Sequence, residues 1–94
     1  MIRIDASVLA ALPLEHIDRV TFYKRDEITS DLICCEIVVP GKVWTFHEEL
    51  TGWKLLINYL SRLPGFQADW HTAVTQAPFA PNETLAFSRS QPAH

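Results

Sequence analysis

The segment from Asp31 to Leu63 constrains the fold more than any other, because within it an alternating apolar pattern changes to a helical one. Apolar and β-branched residues occupy alternate positions from Ile33 to Val39, which is typical of a β-strand. Pro40-Gly41 follows and favours a tight turn, since proline fixes φ and glycine tolerates a positive φ. The sequence therefore predicts a β-hairpin whose second strand runs from Val43 to His47.

The register of this hairpin follows from the length of its turn. If only Pro40 and Gly41 form the turn, Cys34 lies opposite His47, and Glu36 lies on the same face as both. The other face is apolar and is predicted to pack against the core; it carries Ile33, Cys35, Ile37, Trp44 and Phe46. A slip of one residue would exchange the two faces.

Two helices are predicted after the hairpin. Apolar residues recur at helical spacing from Trp53 to Leu63, which indicates an amphipathic helix with a broad buried face. Thr51 is its predicted N-cap, and the Pro64-Gly65 pair ends it. A second, shorter helix is predicted within the range Phe66 to Thr75, where apolar residues again have helical spacing.

The remaining strands come from two alternating segments. The first strand is predicted from Ile17 to Tyr23, followed by a polar loop from Arg25 to Asp31, and the last strand from Thr84 to Arg89. A helical turn or two, capped by Asp5 or Ser7, is predicted from Val8 to Leu12. The side chains predicted to face the helices are Val20, Phe22, Cys35, Ile37, Trp44, Phe46, Leu85 and Phe87.

Together these elements predict one α+β domain over residues 1–94. The order is β-β-β-α-α-β, with a largely antiparallel sheet covered on one face by two helices. The ordered core is expected to span roughly residues 17–89, because chain termini fray.

Charge and composition exclude several classes of protein. The net charge of -3 gives no basic surface for nucleic acid. Neither a signal peptide nor an apolar run long enough to cross a membrane is recognisable, so a cytoplasmic protein is expected. The adjacent cysteines Cys34 and Cys35 point to opposite faces of a strand, so both are expected to be reduced thiols.

The hairpin also contains the candidate catalytic residues. Cys34, His47 and Glu36 share one face, and a thiol beside an imidazole is the unit from which activated nucleophiles are built. A buried, inert cysteine is the competing interpretation. The histidines and cysteines lack the spacing of a zinc site, so neither a metal site nor a cofactor is predicted.

Aromatic residues supply the candidate binding surface. Trp53, Tyr59, Trp70 and Phe79 are predicted on or beside the helices, where they could form a groove or simply the core. The leading prediction is a non-catalytic binding or protein-interaction module, for a protein or small-molecule partner. The alternative is a small thiol-dependent enzyme or sensor that uses Cys34 and His47. A homodimer is also predicted, because the unpaired strand edges of a small sheet can pair with another chain. The edge predicted to form this contact is the uncharged end of the strand from Ile17 to Tyr23.

The phrases VTFYKRDEITSDLICCEI, WTFHEELTGWKLL and LPGFQADW resemble those of a small bacterial protein family of unknown function. The resemblance extends from Ile17 to Arg89. It implies a compact, bacterial, cytoplasmic domain and carries no activity, ligand or site residue with it.

Overall fold

The computed structural model describes residues 3–26, 31–75 and 83–89. Within these ranges the chain forms a four-stranded sheet in the order β3-β2-β1-β4. The strands are β1 (Arg19–Asp26), β2 (Asp31–Val39), β3 (Lys42–His47) and β4 (Thr84–Ser88). All three strand pairs are antiparallel, so the predicted α+β class and the antiparallel sheet are confirmed.

The hairpin of β2 and β3 has the register that the sequence predicts. Its turn consists of Pro40 and Gly41 alone, and Gly41 has the positive φ of 78° that favours glycine. Cys34 consequently pairs with His47, and the register continues without irregularity to Val39 opposite Lys42. The alternation of side chains therefore places the predicted apolar face toward the helices.

The helices are α1 (Ala6–Ala10), a short 3-10 helix (Leu14–His16), α2 (Trp53–Leu60) and α3 (Trp70–Thr75). Asp5 caps α1, as predicted, and its side chain accepts a hydrogen bond of 3.2 Å from the Val8 N–H. Both later helices are shorter than predicted, since α2 ends three residues before Leu63 and α3 begins only at Trp70. None of the helices in the described ranges is long and apolar enough to cross a membrane.

The predicted N-cap of α2 is wrong by one residue. Gly52 occupies this position in a left-handed conformation, with φ at 92°. The Thr51 carbonyl instead accepts a hydrogen bond of 2.8 Å from the N–H of Ile4. The N-terminal segment thus lies directly over the start of α2, and a glycine permits this close approach of the two backbones.

The core lies between the helices and one face of the sheet. Its centre is Phe22 of β1, whose ring stacks on Trp70 of α3 with 3.8 Å between the ring centroids. Leu56 and Leu60 of α2 are completely buried in the same cluster. The two helices after the hairpin therefore cover one face of the sheet, as predicted, and the N-terminal Leu12 adds to the same core.

A bulge in the pairing of β1 with β4 corrects the predicted position of Leu85. Val20 pairs with Phe87 but Thr21 pairs with Leu85, so Ala86 is an extra residue on β4. An inserted residue moves the side chains that precede it to the other face. Leu85 consequently leaves the covered face and is 49% exposed.

The position of β1 also corrects the strand edge that the sequence suggests for dimerisation. β1 runs from Arg19 to Asp26 rather than from Ile17 to Tyr23, and it pairs with β2 on one side and β4 on the other. It is therefore an inner strand that is paired on both sides from Arg19 to Phe22, and it is not the edge that the sequence suggests. The edges of the described sheet are β3 and β4.

Candidate functional site

The face of the sheet that points away from the helices, called the open face below, is the first candidate site. Its central side chains follow from the strand pairings: Thr21 of β1 lies between Glu36 of β2 and Leu85 of β4. Arg19 and Tyr23 are two positions away on either side of Thr21 along β1, so their side chains point to the same face. Regular alternation in β1 thus brings an arginine, a threonine and a tyrosine together.

These side chains surround a depression of about 470 Å³ that is open to solvent. Its lining consists of Arg19, Thr21, Tyr23, Glu36, Glu83 and Leu85. The depression thus combines one cation and two carboxylates with an aromatic and an aliphatic side chain, and this mixed chemistry suits contacts with a polar partner.

Tyr23 is the most distinctive member of the depression. Partial burial raises its pKa above the ordinary value, and the neighbouring Cys34 and Glu36 side chains raise the pKa further. A tyrosine of ordinary pKa is already protonated at neutral pH, so the raised pKa extends to higher pH the range in which this hydroxyl can donate a hydrogen bond. Because the phenol is only half-buried, the ring also offers apolar contact area.

The predicted pair of Cys34 and His47 lies on the same face, in the next row of side chains. Cys34 stands between Tyr23 on β1 and His47 on β3, which forms a row of three residues across three strands. His47 Nδ1 accepts a hydrogen bond of 3.3 Å from the Glu49 N–H, which leaves the proton of a neutral imidazole on Nε2. The sequence therefore placed these residues correctly, whereas any chemical role for them stays a prediction.

The surroundings of the Cys34 thiol are those of a buried side chain. Cys34 is 1% exposed, and its Sγ lies 3.8 Å from the carbonyl oxygen of Leu32. Cys35 lies on the covered face, where burial raises the pKa of its thiol, and Cys34 and Glu36 raise it further. Both environments disfavour attack on an electrophile from solvent, because the reactive form is an accessible thiolate.

We expect neither cysteine of the folded protein to react with iodoacetamide at neutral pH within the time that a free thiol needs for complete modification. After unfolding, both Cys34 and Cys35 should react, because burial alone protects them. Intact mass before and after alkylation measures this directly, and a Cys35→Ser variant assigns any adduct to Cys34. Rapid native modification of Cys34 would instead support thiol chemistry. A vicinal disulfide in the protein as purified would contradict the expectation of reduced thiols.

The described ranges contain no cluster of potential metal ligands. No group of three or more histidine, cysteine, aspartate or glutamate side chains comes together there as a set of metal ligands.

A second candidate site is a groove of about 310 Å³ between α2 and α3. Two of the predicted binding residues meet in it, since the ring centroids of Trp53 and Trp70 are 6.3 Å apart. The rest of the lining is Lys54, Ile57, Asn58 and His71. Trp70 is only 8% exposed, however, because its ring is stacked on Phe22 in the core.

The other two predicted binding residues do not contribute to this groove. The Tyr59 hydroxyl donates a hydrogen bond of 2.6 Å to the Leu12 carbonyl and so holds the N-terminal segment against α2. Tyr59 is therefore a structural contact between two parts of the fold. Phe79 lies outside the described residues.

Of the residues that line the depression, the sequence analysis named only Glu36 as a candidate, although the sequence contains a signal for three of the others. Arg19, Thr21 and Tyr23 alternate with the buried Val20 and Phe22, which places them on the opposite face. The pairing of β1 with β2 and β4 was needed to show that Glu36 and Leu85 complete the site.

Comparison with protein-family models, with curated proteins and with solved structures finds no match to this chain. The resemblance to a bacterial family therefore stays a prediction, and the function must be inferred from the geometry of the two candidate sites.

Proposed function

We propose that the protein is a non-catalytic protein-interaction module that binds its partner through the depression on the open face. One observation carries this proposal: Arg19, Tyr23 and Glu36 converge on a solvent-exposed depression in the middle of a sheet whose other face is covered. An antiparallel sheet needs only one buried face for stability, so the second face is available for contacts with another molecule.

The composition of the depression favours a protein segment over a small apolar molecule. Small-molecule sites are lined mostly by apolar side chains, whereas five of the six residues here carry a charge or a hydroxyl group. Tyrosine and arginine dominate the energetics of protein interfaces, because each combines a large contact area with hydrogen-bonding capacity. Tyr23 and Leu85 would supply the apolar contact and Arg19 an ionic contact with a carboxylate of the partner.

The helix groove is the weaker candidate for the same role. Much of its aromatic character comes from Trp70, which is buried in the core and stacked on Phe22. Truncation of such a residue would damage the fold before it affected binding. Only Trp53 and Ile57 are half-buried apolar residues that a partner could reach in this groove.

A pair of charge reversals separates the two surfaces. Arg19 and Lys54 are both exposed; Arg19 lines the depression and Lys54 lines the helix groove. Immobilised wild type, Arg19→Glu and Lys54→Glu should be compared for capture of partners from the cells that make the protein, with each captured protein quantified by mass spectrometry. We expect Arg19→Glu to lose at least tenfold of a specific partner and Lys54→Glu to retain it. Equal capture by all three proteins, or loss only with Lys54→Glu, would contradict the proposal; circular dichroism confirms that both variants are folded.

A thiol-dependent enzyme or sensor is the second candidate, favoured by the row of Tyr23, Cys34 and His47 across three strands. A hydroxyl and an imidazole on either side of a thiol are groups that can exchange protons with it. The burial of Cys34 argues against this candidate, since substrate would have to reach a side chain that is 1% exposed. The alkylation experiment above separates the two candidates.

A further inference from the structure

The two edges of the described sheet differ in how well they are protected. β4 has five residues and carries the bulge at Ala86 in its pairing with β1. The Ala86 carbonyl accepts a hydrogen bond of 2.9 Å from the N–H of Gln67, so the loop before α3 already contacts this strand. Bulges, short length and coverage by a loop are the features by which proteins prevent pairing at a sheet edge. β4 is therefore a protected edge.

β3 has none of these features in the described part of the chain. It has six residues and pairs with β2 without irregularity, and its residues from Val43 to Phe46 contain no charge and no proline. In a hairpin with a two-residue turn, the residues that flank the turn form a hydrogen-bonded pair, and the pattern alternates from there. The backbone groups of Trp44 and Phe46 thus point toward β2, while those of Val43 and Thr45 point away from it.

The side chains of β3 are also unusually apolar for an edge strand. Val43 is 54% exposed on the open face, and Trp44 is only half-buried on the covered face. The Trp44 ring is stacked against Phe46, with 6.0 Å between the centroids, and Lys42 Nζ lies over the Trp44 ring at 4.0 Å from its centroid. A regular and apolar edge of this kind is a template for another strand.

We propose that β3 pairs antiparallel with β3 of a second copy of this chain and joins the two sheets into one sheet of eight strands. The proposal goes beyond the proposed function and does not depend on it. The outward backbone groups are in phase with those of the second copy when Val43 lies opposite Thr45, and also when Thr45 lies opposite Thr45. Trp44 lies opposite Trp44 of the second copy in one register and opposite its Phe46 in the other. In both registers an aromatic pair forms across the new strand pair, which is among the stabilising cross-strand contacts.

The charges at the ends of β3 favour a second copy over an unrelated strand. Lys42 begins the strand, and Glu48 and Glu49 follow its end. Antiparallel pairing brings the basic end of each copy to the acidic end of the other, whereas parallel pairing would place like charges together. A strand that is complementary to itself only in the antiparallel sense fits a two-fold symmetric dimer.

This dimer has a consequence for the open face. The two-fold axis of an antiparallel strand pair of this kind is perpendicular to the sheet, so both open faces lie on the same side. The two depressions would then form one surface with two equivalent sites, and a partner with two matching segments would bind more tightly than to a single copy.

Edge substitutions test the dimer. Thr45→Pro removes an outward N–H that the hairpin itself does not use, and Val43→Lys places a charge at the edge, as natural edge strands do. Leu55→Lys is the control, because Leu55 on α2 is 46% exposed and Val43 is 54% exposed. Size exclusion with light scattering, at concentrations up to hundreds of micromolar, gives the mass of each protein.

We expect wild type and Leu55→Lys to have twice the monomer mass of 10.7 kDa, and both edge variants to have the monomer mass. A monomeric wild type over the whole concentration range would overturn the proposal. So would a dimer that persists in Val43→Lys and Thr45→Pro, since its interface must then lie elsewhere. If Thr45→Pro fails to fold by circular dichroism, Val43→Lys carries the test. The mass is independent of partner capture, so failure of the dimer leaves the proposed function standing and the reverse also holds.

Discussion

Gly52→Ala is expected to lower the free energy of unfolding by about 3–5 kcal/mol, whereas Gly65→Ala should lower it by only about 1–2 kcal/mol. Both glycines have a left-handed conformation, with φ at 92° for Gly52 and 75° for Gly65, so both substitutions carry the same cost of a left-handed alanine. They differ in their surroundings. A Cβ on Gly52 would overlap the Ile4 carbonyl oxygen, while a Cβ on Gly65 has no atom within 4 Å.

Relief of this overlap requires the N-terminal segment to move away from α2. That movement would break the hydrogen bond from Ile4 to the Thr51 carbonyl and expose the buried Ile4 side chain. Urea denaturation followed by circular dichroism measures both variants, and amide exchange at Ile4 reports whether the segment has detached. Equal losses for the two glycine variants would show that the N-terminal segment does not lie against Gly52.

Leu60→Ala is expected to lower the free energy of unfolding by about 2–5 kcal/mol, because truncation of a buried leucine removes apolar contacts and leaves a cavity. Leu60 is completely buried where α2 meets the sheet. Leu55→Ala is the matched control on the same helix, since Leu55 is 46% exposed and its truncation should change stability by less than about 0.5 kcal/mol.

Denaturation of both leucine variants under identical conditions checks this pair. If Leu55→Ala proved the more damaging change, α2 would have to present its other face to the sheet. That result would contradict the packing of the whole covered face, including the stack of Phe22 on Trp70.

Local sequence signals were sufficient to predict the hairpin and the buried face of α2. The Pro40-Gly41 turn allows only a short connection, and strict alternation on both sides of it determines which residues pair. The pairing of Cys34 with His47 followed from the sequence on the condition that Pro40 and Gly41 alone form the turn, and the structure meets this condition. Helical spacing likewise predicted one broad buried face for α2, on which Leu56 and Leu60 lie, since periodicity reports directly on which side of an element is apolar.

Features that depend on contacts between distant segments could not be predicted. The bulge at Ala86 arises in the pairing of β4 with β1, which are separated by most of the chain, and it reversed the predicted orientation of Leu85. The N-cap at Gly52 is set by the approach of Ile4, which local propensity does not register. The preferences of residues for turns and helix caps depend only on the local sequence, and tertiary contacts can override these preferences.

The two candidate sites on the open face also differ in whether they depend on local or on distant contacts. The pair of Cys34 and His47 is local to one hairpin and was found from the sequence. The depression on the open face requires three strands, so Tyr23 and Glu36 could be assigned to it only when the order β3-β2-β1-β4 was known. The choice of β3 rather than β1 as the pairing edge depends on that order as well.

Photo-crosslinking in the cells that make the protein tests whether the open face of the sheet binds a partner protein, as we propose. A photoreactive amino acid at Thr21 lies in the middle of the depression, and the same amino acid at the exposed Arg62, which lies outside the depression, serves as the control. We expect a discrete crosslinked product of the protein with another protein from position 21 and none from position 62. Discrete products from position 62 alone, or no product from either position in cells where the variants are folded and abundant, would contradict it.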